Sequence, residues 1–257
     1  MRNLWTLYQK EMMEALRSYK LIWVPAVFII LGILQPLTTY YMPEILKASG
    51  NVPPGLLEGY EMPDAAAVMA QALGQYGTIG MLILVLGVMN SLAGERSSGT
   101  AELLLVKPVA PAAIVSAKWA AQLTVLIIAL GLGAAGAAYY TVELMGPLSW
   151  SDVLAAAGLY GLWLLCAVSL ALLFSSCLRG AAAAFLALLI SAAMSLAHSL
   201  FPAQLSWMPA ALPGLSAKLL TEGSKAGPGP VLSAGVLIIL CIASASLLIR
   251  RNSFPNG

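Results

Sequence analysis

Six apolar stretches, separated by short polar or proline-rich breaks, run the length of this sequence and leave it few ways to fold. A bilayer's hydrocarbon core is about 30 Å thick, so a helix rising 1.5 Å per residue needs about 20 mostly apolar residues to cross it. Windows 21–42, 67–89, 114–142, 153–174, 180–201 and 231–249 meet that requirement. The runs are continuous rather than alternating, which predicts helices and not the strands of a barrel. With 60% hydrophobic and 9% charged residues, the chain lies outside the balance of water-soluble domains. The expected fold is an all-α integral membrane protein, a single transmembrane domain over 1–257. Charge extends through Lys20 and the first apolar run is too long for a signal-peptide core, so that run is expected to stay in the mature protein.

Direction follows from Lys and Arg, which are retained on the cytoplasmic side when they flank spans through short loops. Arg2, Lys10, Arg17, Lys20, Arg96, Lys107, Lys118, Arg179, Arg250 and Arg251 share one side, against Lys47, Lys218 and Lys225 on the other. Both termini are therefore expected in the cytoplasm. Trp and Tyr favour the interfaces. Trp23 and Trp119 fall at inner ends, and Tyr40, Tyr41, Tyr139, Tyr140, Trp150 and Trp207 at outer ones, while Trp163 reads as packing.

Residues 1–20 have apolar side chains at helical spacing, including Leu4, Trp5, Tyr8, Met12, Ala15, Leu16 and Tyr19, and read as an amphipathic helix on the membrane surface. Prolines and glycines break regular structure after span one, from Pro43 to Pro63. A similar break at 202–230 is too apolar for a solvated loop, so short helices on or dipping into the outer leaflet are expected there, an extracytoplasmic or re-entrant segment. Gln35 and Pro36 are expected to interrupt span one. Cys166, Cys177 and Cys241 have no ligand-like spacing and read as packing residues, and no metal site is expected. Gly131, Gly133, Gly136, Gly158 and Gly161 permit close helix approach, within one subunit or between two.

The polar stretch 94–118, between two long apolar runs, is the most informative local pattern. Glu95 and Arg96 bring charge to the membrane boundary, Ser98 or Gly99 can cap a new helix, and Glu102 suits its first turn. Leucines 103 to 105 give it an apolar body, and Pro108 ends it because the residue before proline is pushed out of helical geometry. The pattern predicts a roughly two-turn cytoplasmic helix between the Ser98 or Gly99 cap and Pro108, within a coupling segment over 94–108. Pro111 then suits the first turn of span three.

An acidic residue, a Gly-Thr pair, a leucine-rich turn, a proline and a lysine heading the third span are here Glu95, Gly99 with Thr100, Leu103 to Leu105, Pro108 and Lys118. With Lys10, Glu11 and Arg17 before span one and the six-span layout, this resembles the type-2 ABC transporter permeases over nearly the whole chain. The resemblance implies a permease that moves substrate across the cell membrane by alternating access, driven by a separate ABC ATPase. The chain itself has no Gly-x-x-x-x-Gly-Lys-Ser/Thr phosphate loop. It is expected to bind no cofactor, with ATP and magnesium held by the partner. The resemblance further implies a second permease subunit, identical or related, and gives Glu95, Arg96, Gly99, Thr100, Glu102, Lys107 and Pro108 the role of coupling to the ATPase. Lys10, Glu11 and Arg17 would belong to an interfacial elbow beside them.

Polar side chains inside spans seek protein or water rather than lipid. Gln71, Gln75 and Thr78 in span two, with Ser191, Ser195 and His198 in span five, are either interhelical hydrogen-bonding groups or the lining of a translocation path, as the resemblance suggests. A single histidine and the lack of Gly-x-Ser-x-Gly or His-Glu-x-x-His motifs argue against an intramembrane protease. Scattered basic residues give no nucleic-acid footprint. The competing class is a multi-pass channel or scaffold with no ATPase partner.

Overall fold

The computed structural model describes residues 2–49, 62–94, 110–224 and 227–252, which are mainly helical, with no strand among them. Among the described residues, six helices are long and apolar enough to cross a membrane: Lys20–Tyr40, Ala65–Val88, Pro111–Met145, Trp150–Ser175, Gly180–Leu200 and Pro228–Arg250, called spans one to six below. The all-α, six-span expectation is met. An N-terminal helix, Arg2–Arg17, precedes span one.

Local sequence explains the boundaries. Span three opens with Pro111 in its first turn after an extended Ala110, where a missing N–H leaves no helical bond unmade. It stops at Gly146, whose φ of 121° suits a residue without Cβ. Its 35 residues extend about 52 Å, well beyond the hydrocarbon core. Span one runs unbroken through Pro25 and Pro36 to Tyr40, so the expected interruption does not occur. Membrane helices tolerate proline where neighbours re-satisfy the freed backbone groups. Within the predicted break after span one, Met42–Ser49 is helical, with Pro43 in its first turn. In the later break, a 3-10 turn at Pro209–Ala211 leads into a helix, Leu212–Glu222, ended by Gly223 in the left-handed region. That helix packs on spans four and two, and the buried Ser216 hydroxyl donates to the Ala156 carbonyl at 2.8 Å.

Span four is the hub, with spans two, three, five and six and helix Leu212–Glu222 all packed against it. Spans one and three form a second axis. They approach most closely around Gly32 and Gly133, where a Cβ on Gly133 would lie 2.8 Å from the Phe28 carbonyl oxygen. Gly161 meets Leu130 and Gly136 meets Ile33, so these glycines serve packing inside the subunit, whereas Gly131 and Gly158 face open space. Cys166 and Cys241 are buried, but Cys177 is exposed just past span four and does not pack. Trp163 is core. The half-buried Trp119 donates its indole N–H to Ser169 of span four at 3.0 Å.

Candidate functional site

The described parts of the chain bring polar groups together at two levels of the bundle. The first is the basic end, where spans one and three begin and spans two and four finish. The Lys118 ammonium, 2% exposed, lies 3.0 Å from a Glu11 carboxylate oxygen that also lies 3.4 Å from Lys10. Tyr8 and Thr124 share a hydroxyl hydrogen bond of 3.0 Å one helical stretch further along. Burying charge is costly unless it is paired, so these contacts fix the N-terminal helix against the projecting start of span three. Lys10 is exposed, and the exposed Arg17 in the last turn complements the helix C-terminus.

The N-terminal helix has three faces rather than the two expected of an amphipathic helix. Tyr8, Glu11 and Ala15 point toward span three; Trp5, Met13 and Leu16 form an exposed apolar side; Thr6, Lys10 and Arg17 make an exposed polar one. Reading all apolar residues as one membrane face missed that part of that face is taken by protein.

Span two is tied at the same end. Lys20 donates to the Gly87 carbonyl at 2.8 Å. The Ser175 hydroxyl, at the end of span four, accepts the backbone N–H groups of Leu92 and Ala93 at 3.1 Å each and donates to the Met89 carbonyl at 2.9 Å. A small side chain thereby satisfies backbone groups where span two turns out of its helix. The chain from 95 to 109 leaves from this clamp and returns at the start of span three. Glu95, Arg96, Gly99, Thr100, Glu102, Lys107 and Pro108, the predicted coupling residues, lie outside the described residues.

The second level is a π-helical turn, Tyr76–Gly80, in the middle of span two. Such turns recur at functional sites and shift the helix register. Two tyrosines hold its surroundings: Tyr76 stacks on Phe28 of span one, centroids 4.8 Å apart, and donates to the Phe28 carbonyl at 3.1 Å. Tyr160 of span four reaches the Gly74 carbonyl at 3.4 Å. One turn away from the middle, Gln35 of span one donates to Gln71 at 2.7 Å and accepts from Gln75 at 3.0 Å. Gln71 is nonetheless exposed, as is Thr78 within the π-turn. The sequence reading singled out Gln35, Gln71 and Gln75 as polar groups within spans, but not that Gln35 links the other two.

The span-five residues stand apart from this cluster. Ser191 is buried and donates to its own helix at Ala187, Ser195 is exposed, and His198 is half-buried in the last turn. Span five packs on span four and the second half of span two, whereas the glutamines join span one to the first half of span two. Within one subunit, the candidate path residues therefore occupy two separate helix pairs.

Comparison with known proteins gives two results. Residues 5–219 match the family model described as ABC-2 family transporter protein. YxlG of Bacillus subtilis (strain 168), an uncharacterized transmembrane protein, is 37% identical over 249 residues, covering 96% of each chain.

Proposed function

Because the chain belongs to the ABC-2 family of transporter proteins, we propose that it is the permease of an ATP-driven exporter in the cytoplasmic membrane, worked by a separate ABC ATPase. It is a multi-pass membrane subunit, and its family's part in transport is not a catalytic one. In this reading both termini and the basic end face the cytoplasm, in keeping with the Lys and Arg distribution. ATP and magnesium belong to the partner, and a second permease copy, identical or related, completes the pathway.

The observation that carries the reading is that the helices on both sides of segment 95–109 are anchored at the basic end of the bundle. Its upstream end is held by Ser175 to span four and, through Gly87, by Lys20 to span one; span three, which follows it, is held by Glu11 and Tyr8. A displacement of that segment by a closing ATPase would act on spans two and three together, through helices that pack as rigid rods. The π-turn offers a compliant point between that lever and the glutamine cluster, and the cluster offers uncharged hydrogen-bonding groups to a passing substrate.

Replacement of Glu95 or Glu102 by alanine is expected to uncouple ATP hydrolysis from transport without loss of membrane insertion. Glu11→Gln is expected to weaken the same coupling several-fold. Co-purification from native membrane under mild detergent should bring down an ABC ATPase. Recovery of the chain with no ATPase, together with normal transport by both glutamate variants, would leave the channel or scaffold reading in its place.

A further inference from the structure

Between spans five and six, floored by span four, runs a cavity of about 560 Å³. Leu173, Met194, Val236, Leu237 and Cys241 line it, with Trp207 and Ser233 toward one end and Ser244 toward the other. From Ser233 to Ser244 the groove follows span six for about 16 Å at the helical rise. That length equals the depth of one leaflet, half of a hydrocarbon core about 30 Å thick.

We propose that this groove is a binding site for one acyl chain of a resident phospholipid, taken from the leaflet that borders Trp207. Three observations select that occupant. The groove's length of about 16 Å matches the run of a single acyl chain through one leaflet and is about half of what a spanning helix from a second copy would need to lie along. The lining is apolar, and the Ser233 hydroxyl at the mouth is already engaged, donating to the Trp207 carbonyl at 2.5 Å. A polar ligand would find little to bond, and an empty groove would forfeit dispersion contacts along its walls. Finally, the mouth lies beside Trp207, an exposed ring of the kind that settles at headgroup depth and leaves a headgroup in water above the chain. The site is separate from the glutamine cluster and from the basic-end clamp, and its occupancy does not depend on what the permease transports.

The test uses full-length protein reconstituted in vesicles of dioleoyl phosphatidylglycerol, extracted into mild detergent and examined by native mass spectrometry. The expected result is one phospholipid retained per chain after detergent exchange that strips annular lipid. Val236→Trp fills the groove and should lower retention at least tenfold, while Leu196→Trp, on the exposed face of span five, should leave it unchanged. Ser244→Leu closes only the inner end, so it should retain dilauroyl phosphatidylglycerol and lose the dioleoyl lipid. This length discrimination reports on the groove even if the tryptophan variant does not fold. No retained lipid in the unmodified protein, equal retention of both lipids by Ser244→Leu, or efficient cross-linking of Val236→Cys to a second copy would each overturn the assignment.

Discussion

Spans four and six have nearly the same task and opposite surroundings. Span six is the more apolar, yet 22% of its best membrane window is buried in protein, against 67% for span four. In water the more apolar helix would be the more deeply buried. In a bilayer lipid tails are as apolar as leucine, so hydrophobicity brings a helix into the membrane without choosing its neighbours. Span four contributes the continuous buried run from Trp163 to Leu172, including Ala167, Ser169 and Ala171, which let other helices come close on every side. Span six buries only one stripe, Ala234, Ile238, Cys241 and Ala245, at helical spacing.

The sharpest way to break this contrast is truncation at matched chemistry. Leu164→Ala, at a fully buried position of span four, should cost about 2–4 kcal/mol, and Ile239→Ala on the exposed side of span six less than about 0.5 kcal/mol, both read from reversible unfolding in mixed micelles. Equal costs would show that lipid contact is worth as much as protein contact here. Next in size, Gly133→Ala should cost about 1–3 kcal/mol by forcing spans one and three apart, while Gly131→Ala, one turn-face away and open, should be neutral or slightly stabilising in the same assay. Ser175→Ala at the end of span four should cost about 1–3 kcal/mol by stranding two backbone donors, and faster amide exchange at Leu92 and Ala93 would identify the cause. The smallest effect belongs to the polar cluster: Gln35→Leu removes two interhelical hydrogen bonds and should lose about 1.2 kcal/mol, at the usual worth of about 0.6 kcal/mol for each such bond in a membrane.

Much of the fold was legible because a bilayer imposes a length. Each apolar run long enough to cross became a helix, and Pro111 and Gly146 mark the ends of the longest one. What was misread involved groups whose role depends on a neighbour. Pro36 looks like a breaker, but the helix continues through it. Of the polar residues singled out in the spans, Gln71 and Gln75 do meet another helix, and Ser191 satisfies itself within its own turn. The π-turn at Tyr76–Gly80 left no mark in the hydrophobic pattern, since one wide turn shifts register without changing composition.

By itself, the sequence determined that this chain is a six-span helical membrane protein and carried the pattern of its transporter family, because hydrophobic length and short backbone motifs are local properties. Only the tertiary structure decided that span four lies at the centre, that Glu11 is the partner of Lys118, and that an apolar groove remains beside span six. Those outcomes depend on which small residues meet across helices far apart in the chain, and in an apolar solvent close packing and satisfied polar groups, rather than hydrophobicity, settle that choice.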